Sequence, residues 1–281
     1  MDNLKAKKRH PEEIAVYTAI YVCAAFSVLL LLGIIIYVFA KGARRVNWAF
    51  LTGVTSILHG TVGIAGNILN TLIIILLTMI ITTPIGVGAA IYLNEYAKPG
   101  KLVTVIIFAT ETLAGIPSII FGLFGMLFFG QLCHMGYSLL TGSLTLTLMV
   151  LPLVTRNTQE ALKTVPDSFR TGAVGLGAGK WYTIRTILLP SAMPGIVTGV
   201  ILAIGRIIGE SAALLFTAGS AHLLPKTFNA FLEKIFHSGG TLTIQLYLSA
   251  SKGDFEVAFG IAVVLLVIVL LINFGTKRLA K

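Results

Sequence analysis

Charge is what this chain has least of. Of its 281 residues only 11% are Asp, Glu, Lys or Arg, whereas 56% are apolar and the mean hydropathy is +0.92. One soluble core of this length cannot hide so much apolar surface, which excludes a water-soluble globule and leaves a bilayer as the expected solvent. Acidic residues are the scarcer sign, 11 against 21 Lys and Arg, but the basic residues are scattered through short segments between apolar runs. Without aromatic interleaving or one basic face, that excess does not make a nucleic-acid surface. Cysteine is nearly absent. Cys23 and Cys133 show neither C-x-x-C nor His/Cys ligand spacing and read as core residues of apolar segments. His59, His134, His222 and His237 share no ligand spacing, so no metal is expected. No Ser/His/Asp constellation and no paired carboxylates within one segment suggest catalysis, so the chain reads as a non-enzyme.

What is present is a series of long apolar runs. Six can cross roughly 30 Å of hydrocarbon: residues 15–40, 68–93, 102–129, 137–154, 187–216 and 255–274. The first follows Lys5, Lys7, Lys8 and Arg9 and is longer than the apolar stretch of a signal peptide, so it reads as an uncleaved span. An even number of spans puts both termini on one side. If that side is cytoplasmic, inside segments hold 14 Lys and Arg and outside segments 6, with Arg206 inside a span. This asymmetry favours cytoplasmic termini, although Lys41, Arg44 and Arg45 run against it. The expected organisation is a cytoplasmic segment 1–14, a first helix 15–40, a transmembrane core 68–275 with a patterned loop at 157–190, and a cytoplasmic tail 276–281. The fold class is an all-α polytopic bundle. Gly195 with Gly199 and Gly205 with Gly209 form two G-x-x-x-G pairs that let neighbours approach the fifth span closely. Pro84, Pro117, Pro190 and Pro194 are expected to kink or cap helices.

The loop between the fourth and fifth runs is long, basic and patterned. Pro166 and Asp167 suit a helix's first turn, where proline loses no needed N–H and a carboxylate meets the positive end of the dipole. Val165, Phe169, Ala173 and Leu176 fall near one face at helical spacing, and Gly177 can end the helix with a positive φ. Gly179-Lys180 mimics the end of a phosphate-binding P-loop. Such a loop needs glycine and Ser or Thr where Val174 and Trp181 stand, so ATP is not held by that route and energy must come from a partner.

Ala173, Gly177, Ile187, Leu189 and Pro190 stand in the register A-x3-G-x9-I-x-L-P, which resembles the EAA loop of ABC importer permeases. Thr171 and Gly172 replace the first two letters of that motif. The resemblance implies a MetI-like six-helix core whose loop, with Phe169 and Arg170 included, docks into a groove of the ATPase. Three further segments resemble the phosphate permeases of this family: Gly88 to Ala97, Gly115 to Leu123 and Arg206 to Gly219. They imply phosphate as cargo, with sulfate, molybdate or phosphonate as the alternatives. They also imply a homologous permease subunit, two ATPase subunits that use ATP and Mg, and an extracytoplasmic phosphate-binding protein as partners. No cofactor is expected on this chain itself.

Chemistry singles out the same region. Arginine in mid-span costs about 2.5 to 3.5 kcal/mol on insertion scales, so Arg206 is expected to line a polar path, where its guanidinium matches two oxygens of an oxyanion. Glu210, one helical turn on, either orients Arg206 while the path is empty or simply offsets its burial as an intrahelical pair. Glu111, before the Gly115-Ile116-Pro117-Ser118 turn, is expected to line the path, to partner Arg206, or to bond a kinked backbone. A secondary transporter would show inverted repeats, and none is visible. A membrane-embedded enzyme would gather more polar residues than Glu111, Arg206 and Glu210.

Overall fold

The computed structural model describes residues 11–56, 61–98, 100–225 and 227–279. The expected cytoplasmic residues Lys5, Lys7, Lys8, Arg9 and Lys281, together with His59 and Lys226, lie outside the described residues. In chain order the elements are α1 (Pro11–Gly42), α2 (Trp48–Thr52), a hairpin of β1 (Val54–Ser56) and β2 (Thr61–Ile64), α3 (Ala65–Ile91), α4 (Lys101–Gly115), α5 (Ser118–Gly125), α6 (Leu139–Lys163), α7 (Asp167–Gly175), α8 (Lys180–Thr183), α9 (Leu189–Gly209), α10 (Ala212–Thr217), α11 (Phe228–Glu233), α12 (Leu242–Ser251) and α13 (Phe255–Leu279). Wide π turns extend α3 over Tyr92–Tyr96 and α5 over Met126–Leu132, and a third, Ile184–Leu188, joins α8 to α9. The hairpin is antiparallel, with Val54 opposite Ile64 and Ser56 opposite Thr61.

Among the described residues, five helices are long and apolar enough to cross a membrane: Ala15–Arg45, Ala65–Tyr96, Leu139–Lys163, Lys180–Gly209 and Phe255–Gly275. The expected span at 102–129 is instead a pair of helices, Lys101–Gly115 and Ser118–Leu132, bent by 102°, and counts as a sixth span only if the pair crosses together. Pro117 explains the break: it offers no N–H and pushes Ile116 out of helical space, to φ −73° and ψ 132°. Pro190 is accommodated differently. In the π turn just before it the Leu189 N–H reaches back to the Ile184 carbonyl, widening the helix where the proline ring would otherwise crowd the preceding turn.

The bundle is held by close small-residue crossings around α6, against which α3 and α9 pack. A Cβ on Gly86 would press on Val154, and Cβ atoms on Gly195 and Gly199 would lie 2.6 Å from Ala161 and Asn157. The first G-x-x-x-G pair therefore seats α9 on α6 as expected. Gly205 and Gly209 instead face open space. The polar side of α6 is buried with its needs largely met locally: Thr145 and Thr147 each donate at 2.8 Å to the carbonyl four residues back. Ile73, Ile74, Leu146, Val150, Ala203 and Leu214 form the central core, and α1 packs mainly on α13.

Both cysteines are exposed, Cys23 on α1 and Cys133 after the second π turn, which corrects their reading as core residues. In a bilayer the outer surface is itself apolar, so an apolar neighbourhood in sequence does not imply burial within the protein.

α3 with its π turn spans 32 residues, about 48 Å at the helical rise, and so separates two faces of the bundle. At its start Gly66 lies under the His222 carbonyl, and Asn67 and Asn70 donate to Gly240 and Ala221 carbonyls, so residues 219–241 clamp over that end. Lys234 is buried in this clamp. Its ammonium donates to the Leu223 carbonyl, and burial pushes it below the usual lysine range. At the far end lies α7. In a variant lacking Cys23 and Cys133, cysteine at Leu176 (91% exposed) and at Leu223 (71% exposed) should therefore react with an impermeant maleimide from opposite sides of the membrane. The charge asymmetry further predicts Leu176 on the inside. Labelling of both from one side would break the topology.

Candidate functional site

The helix expected between the fourth and fifth spans is α7. Pro166, at φ −56°, precedes its first residue Asp167, and Gly177 follows its end at φ 80°. The Ala178 N–H bonds the Ala173 carbonyl at 2.9 Å and the Gly177 N–H bonds the Val174 carbonyl at 2.9 Å, the paired bonds of a left-handed glycine C-cap. The expected single face is divided: Val165 and Ala173 are buried, but Phe169 and Leu176 are exposed. α7 rests on α8 and the following π turn along a narrow line, so the small residue at the contact is covered and its larger neighbours are not. Phe169, Val174, Leu176, Trp181 and Tyr182 are all exposed on α7, α8 and the turn between them, an apolar patch of the kind that marks a protein-docking site. Ile187 and Leu189 are half-buried within the span and Pro190 is exposed, so these three connect the patch to the bundle and do not themselves belong to it.

Arg170 does not point toward that patch. Its guanidinium donates to the Glu95 carboxylate at 2.9 Å, to Asp167 at 3.0 Å, and to the carbonyls of Leu162 and Val165, each at 3.0 Å. Glu95 sits in the π turn that ends α3, with only 9% of its side chain exposed. Chiefly through its hydrogen bond to Glu95, the guanidinium holds its proton above the usual arginine range. One side chain thus joins α7 to the end of α3 and to the frayed carbonyls at the end of α6. Lys180 adds a cation over the Tyr96 ring at 4.7 Å. Sequence reasoning missed Glu95. Its signal was there to read: a carboxylate at the end of an apolar run that the charge asymmetry expects on the same side as a loop rich in Lys and Arg.

In the membrane-spanning part, the expected helical pairing of Arg206 with Glu210 is absent. α9 stops at Gly209, and Glu210 turns extended, with φ −83° and ψ 123°. Its buried carboxylate accepts from the Ala213 N–H at 3.0 Å and so caps α10, while its own carbonyl accepts from the Thr243 hydroxyl at 2.9 Å. Glu210 therefore fastens the break between α9 and α10 to α12. Arg206 is exposed on α9, beside the open row of Gly205 and Gly209, and pairs with no carboxylate among the described residues. Glu111 is likewise exposed on α4, a helix with no buried residue, and is not paired with Arg206.

A helical membrane bundle with one β-hairpin, an apolar helix exposed on one face and, in the last turn of α9, a cation paired with no carboxylate among the described residues fits a membrane permease, and the family match defines its class. Residues 82–281 match the family described as "Binding-protein-dependent transport system inner membrane component", and the chain belongs to that family. Such permeases work with an ATPase and a substrate-binding protein, and they are not themselves enzymes. Among its relatives is a probable ABC transporter permease protein of Bacillus subtilis (strain 168), 37% identical over 92% of this chain and 91% of that protein. A phosphate transport system permease protein PstA of Xylella fastidiosa (strain Temecula1) is 34% identical over 85% of this chain and 82% of that one. Among solved structures, an inward-facing MetNI methionine ABC transporter covers 78% of this chain and 93% of its own, with a TM-score of 0.58 at 21% identity. The fold is MetI-like.

Proposed function

We propose that this chain conducts inorganic phosphate across the cytoplasmic membrane, with both termini inside. Arg206 carries the reading. It stands in the last turn of α9 and not at the expected mid-span position, and there it is exposed with no carboxylate partner among the described residues. A guanidinium there is still costly toward lipid, so it faces a polar path or a neighbouring chain, and its two parallel donors fit an oxyanion. The open glycines beside it leave room for a homologous permease to approach, with the path between the two chains and Glu111 as a second charge along it. Glu210 holds the backbone that presents Arg206. Relatives named for phosphate transport support the cargo.

The importer holds two copies of an ATPase that bind ATP and Mg, and one of them docks on Phe169 and the patch around it. Ala173 and Gly177 shape the docking helix, Arg170 ties it to the spans, and Ile187, Leu189 and Pro190 carry its movement into α9. An extracytoplasmic phosphate-binding protein delivers the cargo over residues 219–254. Uptake of labelled phosphate, sulfate and molybdate by cells that depend on this importer tests the cargo, and a preference for sulfate or molybdate would replace it. Arg206→Lys keeps the charge but loses the fork, and should cut phosphate uptake about tenfold or more at unchanged membrane abundance. Wild-type uptake by that variant would remove Arg206 from the path.

A further inference from the structure

Where α1 ends against the start of α13, a groove of about 1030 Å³ opens between Tyr37, Lys41, Arg44, Arg45, Glu256 and Phe259. It lies on the face opposite α7, because α12 leads into α13 from the end of α3 that residues 219–241 clamp, where the Leu242 N–H at the start of α12 donates to the Thr71 hydroxyl. These cations are the cluster that runs against the charge asymmetry of the rest of the chain. Although Glu256 lines the same groove, Lys41, Arg44 and Arg45 form no ion pair among the described residues. Arg45 is the most constrained. Its stem packs against Gly260, its guanidinium stands 5.8 Å from the Phe50 ring centre, and its Nε is buried without a hydrogen-bond partner. A buried donor left unmet is costly, and three unneutralised cations within five residues repel one another. Both costs fall if an anion occupies the groove.

We infer that this groove binds the phosphate headgroup of an anionic lipid in the leaflet opposite the docking helix. Its depth favours a lipid over a free anion: the cations sit where the first span leaves the hydrocarbon, and Tyr37 and Phe259, meeting edge-on at 5.7 Å, form the wall toward the acyl chains. The α1 surface leading to it is exposed along its length, so an acyl chain can lie against it while the headgroup meets the three donors. The site is separate from Arg206 and independent of the cargo.

The test uses the importer purified through a tag on the full chain, stripped of lipid by detergent exchange and titrated with phosphatidylglycerol or phosphatidylcholine, with retained lipid read by native mass spectrometry. Phosphatidylglycerol should bind in preference. Replacing Lys41, Arg44 and Arg45 together by Gln should weaken it on the order of a hundredfold, since each cation near an anionic headgroup contributes roughly fivefold. Glu256→Gln should tighten it, a gain that a misfolded variant cannot produce. Equal retention of the two lipids, or unchanged retention in the triple variant, overturns the proposal. So does displacement of phosphatidylglycerol by millimolar inorganic phosphate, which would make the site one for the free anion.

Discussion

Glu95→Gln should silence uptake while leaving most of the importer in the membrane. The substitution removes the buried charge that faces Arg170 and leaves the guanidinium, 22% exposed at its side chain, with two carbonyls and the solvent-exposed Asp167 carboxylate, which belongs to α7 itself and cannot tie it to α3. Breaking a fully buried pair by neutralising one partner costs about 3 to 5 kcal/mol; the cost is smaller here, because the pair is partly buried and Asp167 remains, but the link lost is the one that ties a nine-residue helix to α3. α7 should then detach from α3 while the spans stay packed, so phosphate uptake and stimulated ATP hydrolysis fall together. Arg170→Lys should be nearly as damaging, because an ammonium cannot reach Glu95, Asp167 and two carbonyls from one position. The exchanged pair, Glu95→Arg with Arg170→Glu, should not rescue: a carboxylate at position 170 would face the Leu162 and Val165 carbonyls with no donor to offer. Rescue by the exchange would show that the pair acts by charge alone and that the carbonyl bonds are incidental.

The second large effect is expected at Gly177. Nothing stands within 4 Å of a Cβ built there, so space is not what keeps the position glycine. The constraint is φ at 80°, a conformation that costs an L-residue about 1 to 2 kcal/mol and a β-branched one more. Gly177→Val should therefore unwind the last turn of α7, abolish uptake and uncouple or silence the ATPase at near-normal membrane abundance. Gly177→Asn should be much milder, since asparagine enters left-handed space readily. If valine and asparagine transport alike, the helix end is not what the docking site requires.

Much of this architecture was legible in the sequence because hydrocarbon demands long apolar runs and turn chemistry is local. Pro166 and Gly177 bracket α7 by their own backbone preferences, and Pro117 breaks a run for the same reason. What escaped depends on partners remote in sequence. Nothing local says that Glu95 and Arg170 meet 75 residues apart, or that Asn67 and Asn70 reach the carbonyls of a segment some 150 residues on. The end of α9 was missed because residues 187–216 read as one apolar helix, whereas Glu210 prefers to cap α10 with a bond only tertiary structure aligns. Inward and outward faces were the hardest to read, since polarity no longer separates them where the solvent is lipid, as at Cys23, or where a partner is to cover the surface, as at Phe169.

The bend at Pro117 also bears on where water goes. α4 runs only 15 residues from Lys101, about 22 Å, so its end falls short of the far boundary of roughly 30 Å of hydrocarbon. Across the bend the helical ladder lapses: Ile116 reaches only Leu113, at 3.3 Å, and Pro117 donates nothing, leaving late carbonyls of α4 without an intrahelical donor. Lipid tails cannot supply one, and Gly115 and Leu113 are not covered by this chain. The bend is therefore tolerable only where it is wetted or capped by another subunit, so at that depth this permease either admits water into the membrane or keeps a neighbouring chain pressed against α4.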